Sequence, residues 1–156
     1  MLDLLNVSPA ESNSPICFHS TDGTYMWIER MGMETAEERR FVGRLLLSIF
    51  PNCVRDPVHV TREEVGKWKT REGIGLGSTK RNVITTYGKP SEDNPIKGDS
   101  YLSIIVGGFQ GSEFTVKPRP DIGDEVLEYT EEGSLLNAEF GIRRGIVVWL
   151  AISKNE

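Results

Sequence analysis

GIGLGSTKRNVITTYGKP, residues Gly73–Pro90, is where this chain states its local structure most openly. Three alternating glycines lead to Ser78 and Thr79, whose side-chain oxygens are suited to capping a helix. Val83, Ile84 and Tyr87 then recur at helical spacing and point one way. Gly88 stands where a helix end wants a positive φ, and Pro90 prevents continuation. The spacing predicts a helix that begins at Ser78 or Thr79 and stops at Gly88. Closely spaced glycines before a helix can also expose backbone N–H groups to a phosphate. A P-loop needs GxxxxGK[ST] and a dinucleotide turn needs GxGxxG, and Gly73, Gly75 and Gly77 satisfy neither. The segment reads as architecture.

Toward the N-terminus, Met1–Pro15 is rich in Ser, Pro and Asn and reads as a flexible leader. It lacks the basic start and apolar core of a signal peptide. Ile16–Ser20 and Thr24–Arg30 are β-prone runs on either side of Thr21-Asp22-Gly23, a hairpin signal. Glu34–Phe50 predicts the longest helix. Thr35 and Glu38 form a capping box, and Phe41, Val42, Leu45, Leu46, Ile49 and Phe50 make a broad apolar face. Pro51 and Asn52 end it. A second capping box, Thr61 with Glu64, opens a short helix around Arg62–Trp68.

Toward the C-terminus, Tyr101–Val106 is short and apolar enough for a buried strand, and Glu113–Lys117 suggests another. Glu125–Tyr129, Leu135–Ile142 and Ile146–Ser153 predict an antiparallel meander, turning at Glu131–Gly133 and Arg143–Gly145. Residues 16–156 are expected to form a single α+β domain with helices packed on one face of an antiparallel sheet.

Composition narrows the function classes. Of the 156 residues, 38% are hydrophobic and 26% charged, an ordinary globular balance with enough length for a real core. The net charge of −5 is spread along the chain without a basic tail, which argues against a nucleic-acid partner. No apolar window has the length of a membrane-spanning helix, so no integral membrane segment is expected. Cys17 and Cys53 allow one disulfide in an oxidising compartment, or two buried thiols. With only His19 and His59 beside them, no zinc spacing exists and no metal or cofactor is expected.

His19 and His59 are the chain's candidate acid–base residues, but neither has a nucleophile beside it in sequence. Asp121–Glu139 holds seven acidic residues in an order unlike a calcium-binding EF-hand loop, and reads as a solvated strand face with its turns. Tyr25, Trp27, Tyr129, Phe140 and Trp149 fall within strands and are candidates for the core. Tyr25 and Trp27, two apart, share a face. Phe109 and Phe114 instead lie in or beside a glycine-punctuated stretch, where exposed aromatics can anchor a partner. These two, with Arg119 as a polar flank, are the candidate binding residues. They sit in the turn-rich excursion Ser91–Gly123.

The pattern G-I-x-x-G-S-T-x-x-x-V-x-x-x-Y-G-x-P resembles small bacterial cell-envelope domains of the β-lactamase-inhibitor-protein-like fold, also seen in outer-membrane-assembly lipoproteins. The matching residues are Gly73, Ile74, Gly77, Ser78, Thr79, Val83, Tyr87, Gly88 and Pro90. Leu127, Tyr129, Gly133, Phe140, Gly145, Val147 and Ile152 continue the likeness, which spans residues 70–153. The resemblance implies a helical segment packed on a curved antiparallel sheet, in a secreted or lipid-anchored, non-enzymatic protein that binds other proteins; the expected location is periplasmic or secreted, with the cytoplasm as the alternative. The alternative is an inhibitor or immunity protein that uses its acidic surface to cap a basic enzyme or toxin.

Overall fold

The computed structural model describes residues 16–30, 42–50, 58–95, 123–130 and 136–154. The Asp-Gly hairpin forms as its turn residues dictate. Strand β1 (Ile16–Ser20) pairs antiparallel with β2 (Tyr25–Arg30) in the register Cys17 to Trp27 and Phe18 to Met26. Asp22 closes the turn through its carboxylate, which accepts the Thr24 N–H at 3.0 Å. The C-terminal meander also forms, as β6 (Glu125–Thr130), β7 (Leu136–Arg143) and β8 (Ile146–Lys154).

Strand β3 (Val42–Ser48) joins these two hairpins by pairing with β2 on one side and β8 on the other. Strand β4 (Val58–Thr61) adds parallel to β1, and β5 (Glu92–Pro95) adds antiparallel to β6. The result is one mixed sheet of eight described strands in the order β4-β1-β2-β3-β8-β7-β6-β5.

The sheet is apolar on both faces. Phe18, Met26, Leu47, Leu150, Phe140 and Leu127 are successive cross-strand partners, so one buried row crosses six strands. Val65, Ile74 and Val83, from outside the sheet, pack into the same cluster. On the opposite face Cys17, Trp27, Leu46, Phe50, Val126, Val148, Trp149 and Ala151 form a second cluster. The Cys17 sulfur is bonded in a disulfide; Cys53 lies outside the described residues.

This architecture corrects the expected α+β fold with helices on one face of a curved antiparallel sheet. The described residues are mostly strand and carry one α-helix, α1 (Lys80–Tyr87). Over 42–48 the expected long helix is strand β3 instead. Leu45, Leu46 and Leu47 look like part of a wide helical face, but an inner strand buried on both sides needs the same continuous apolar run. Leu46 belongs to one cluster, and Leu47 with Leu45 to the other. The short helix expected at Arg62–Trp68 is a single 3₁₀ turn, Val65–Lys67. There the Thr61 hydroxyl oxygen accepts the Glu63 N–H at 3.1 Å, and Glu64 pairs with Lys67 rather than completing a capping box.

The expected leader 1–15, the strand at Tyr101–Val106 and the candidate anchors Phe109, Phe114 and Arg119 lie outside the described residues. So does the N-terminal part of the long helix.

Candidate functional site

The glycine segment before α1 is clasped onto the β7–β8 hairpin. Gly77 N–H donates to the Val147 carbonyl at 3.0 Å, Val147 N–H to Ser78 at 2.8 Å, and Lys80 N–H to Gly145 at 2.8 Å. Segment 77–80 therefore runs beside the start of β8. Within the segment, Gly73 N–H donates to Thr70 O, Ile74 N–H to Thr70 Oγ1, Gly75 N–H to Ser78 Oγ and Ser78 N–H to Gly75 O. An anion cradle needs such amides aimed outward and unspent. The three glycine amides are spent inside the fold, where they hold the segment's own turns and its place beside β8.

Helix α1 follows as its sequence requires. Thr79 has extended backbone angles and its Oγ1 accepts the Asn82 N–H at 3.0 Å. At the other end Gly88, with φ 81° and ψ −158°, occupies a conformation open essentially to glycine alone. Val83 is buried and Ile84 is partly exposed. Tyr87 anchors the helix: its ring meets Tyr129 and Phe140 at centroid distances of 5.5 and 5.7 Å. The Tyr87 hydroxyl donates to Thr70 Oγ1 at 2.6 Å and lies 3.1 Å from Glu72. Burial pushes this phenol above its ordinary pKa; the Thr70 bond opposes the rise and the Glu72 carboxylate reinforces it.

The two histidines do not meet. His59 pairs with Phe18 in the ladder and contacts its ring at 5.6 Å, whereas His19 stacks on Tyr25 at 4.6 Å. Residues 18 and 19 project from opposite faces of a strand, so the sheet separates the imidazoles. Within the acidic stretch, Glu125 binds Lys80 at 2.5 Å, Glu139 is buried against Arg44 at 3.2 Å, and Asp124 accepts the Arg144 N–H at 2.7 Å. Long sequence separation hides these pairings from any local reading. Among the described residues no cluster of His, Cys, Asp and Glu could hold a metal ion, and no helix is long and apolar enough to cross a membrane.

The candidate aromatic anchors are not brought into view, but the two ends of their excursion are. Ser91 N–H donates to Glu128 O at 2.8 Å, and the Thr130 N–H donates to Ser91 Oγ at 3.1 Å. Pro95 is the register partner of Glu125, and Asp124 N–H donates to Ile142 O at 2.6 Å. The described residues on either side of 96–122 therefore lie side by side in the β5–β6 pairing. The chain matches no protein-family model, no curated protein and no solved structure.

Proposed function

We propose that the protein is a non-enzymatic protein-binding domain of the bacterial cell envelope, and that the excursion between β5 and β6 carries its contact surface. The pairing of Pro95 with Glu125 carries this reading, because it roots both ends of the excursion at one place on a rigid sheet. Binding segments are commonly displayed in this way, from connections held by a regular scaffold. Phe109 and Phe114 supply aromatic area at low entropic cost, and Arg119 a polar flank. The Cys17 disulfide supports an oxidising, periplasmic or secreted location. The resemblance of Gly73–Pro90 to small envelope domains points the same way.

The test is partner capture. Phe109→Ala/Phe114→Ala and wild-type protein are used as bait in envelope extracts of the native host, with circular dichroism confirming that both fold. Loss of the captured partner is expected for the double variant. Equal recovery by a folded variant removes this surface from consideration.

A further inference from the structure

The β7–β8 turn and the start of α1 place arginines together on a chain whose net charge is −5. The antiparallel bridge from Thr79 to Ile146, and the pairing of Ile146 with Arg143, put Thr79, Ile146 and Arg143 in one cross-strand row. Arg144 sits in the turn beside that row, and Arg81 follows two residues after Thr79. Arg81 and Arg144 are exposed, Arg143 is half-buried, and Ile146 is 38% exposed between them. Lys80 is committed to Glu125. Among the described residues Arg81, Arg143 and Arg144 make no ion pair. Of the described carboxylates, Glu125 binds Lys80 and Asp124 accepts the Arg144 backbone N–H, which leaves the three guanidinium groups as the charge this surface presents.

Arg144 adds a conformational argument. The two-residue connection Arg144-Gly145 has φ values of 50° and 77°, a pair that ordinarily selects Asn-Gly or Asp-Gly. Among the described residues Arg144 is the non-glycine residue with positive φ. A long cation is held where a short polar residue would be less strained.

We infer that this surface docks a carboxylate-rich segment of a protein partner, with Arg81, Arg143 and Arg144 as forks and Ile146 as the apolar centre. Guanidinium groups match carboxylates in bidentate geometry, and an apolar residue ringed by polar ones is a common form of binding hot spot. A compact acidic segment can reach the patch within about 8 Å, the screening length in physiological salt. An extended anionic surface, such as a membrane, would also confront the net charge of −5 on the chain as a whole. The inference rests on the reading of this protein as a binding domain, but uses a surface separate from Phe109 and Phe114.

The experiment uses the full chain and a short fluorescein-labelled polyglutamate peptide, with binding followed by fluorescence anisotropy over a salt series. Wild-type protein is expected to bind and to weaken as salt rises. Arg81→Gln/Arg143→Gln/Arg144→Asn is expected to bind about tenfold more weakly or worse, a loss of about 1.4 kcal/mol. Asn suits positive φ, so this variant should melt no lower than wild type and misfolding cannot mimic the loss. Arg62→Gln, an exposed arginine elsewhere, and Phe109→Ala/Phe114→Ala should bind the peptide as wild type does.

No peptide binding by wild type, or equal binding by the triple variant, overturns the inference. So does tighter arginine-dependent binding to phosphatidylserine vesicles than to the peptide, which would assign the patch to a membrane. Because the envelope-capture assay reads Phe109 and Phe114 separately, either surface can fail while the other stands.

Discussion

Gly141 shows how a single missing side chain sets the packing of one face. It is the register partner of Trp149, and a Cβ at position 141 would overlap the Trp149 indole. The indole therefore lies across the glycine backbone and is fully buried there. Gly141→Ala should destabilise the fold by about 1–3 kcal/mol through overpacking, read as a lower urea midpoint. Asp22 has a different task at the other end of the sheet. Its second carboxylate oxygen accepts the Gly66 N–H at 2.9 Å, tying the β1–β2 turn to the 3₁₀ turn. Burial acts to raise its pKa, but hydrogen bonds from the Thr24 backbone, the Ser20 and Thr24 hydroxyls and the Gly66 backbone together hold it below the usual 3.8. A depressed folded-state pKa contributes stability that is present above 3.8 and lost as pH falls through the lower folded value. Between neutrality and about pH 3 the urea midpoint of Asp22→Asn should fall less than that of wild type.

At the scale of elements, α1 and β3 behave in opposite ways. Helix α1 was legible because its start and stop are local chemistry: a hydroxyl at Thr79 and an achiral residue at Gly88. Thr79→Ala should cost about 1 kcal/mol, and Gly88→Ala about 1–3 kcal/mol, both measured by chemical denaturation. The Gly88 variant is the more informative, since ψ of −158° with positive φ leaves alanine no comfortable alternative. Strand β3 was illegible for the complementary reason. Its apolar run fits helical spacing, and only its place between β2 and β8 makes it a strand. Gly43, at a cost of about 1 kcal/mol in a helix interior, is a local feature that weighs against a helix there. Leu47→Ala should cost about 2–5 kcal/mol, because it breaks the buried row at its middle.

Across the whole molecule, β3 makes one sheet of the N-terminal hairpin and the C-terminal meander. Unfolding followed by tryptophan fluorescence and by far-ultraviolet circular dichroism should therefore coincide, since Trp27 and Trp149 lie on opposite sides of β3 in the strand order. The Cys17 disulfide adds a covalent constraint to the N-terminal half. Thiol titration of unfolded, unreduced protein should find no free thiol, and Cys17→Ser should lower stability by about 2–4 kcal/mol. The buried pair of Arg44 and Glu139 ties β3 to β7 across β8 and depends on this continuity.

The sequence by itself determined the features whose causes lie within a few residues. These are the Asp-Gly hairpin, the limits of α1, the three C-terminal strands and the buried places of Trp27, Phe140 and Trp149. Only the tertiary structure decided that Val42–Ser48 is a strand, that β4 runs parallel to β1, and that the glycine amides are spent on one another and on the β7–β8 hairpin. An apolar run is compatible with a helix face or a two-sided strand until its neighbours are known, because burial rather than propensity supplies most of the stabilising free energy. The same distinction separates the two surfaces proposed for binding. Phe109 and Phe114 stand out in the sequence as aromatics among glycines, whereas the stretch carrying Arg81 comes beside the turn of Arg143 and Arg144 only because the Lys80 N–H is bonded to Gly145, more than sixty residues further along the chain.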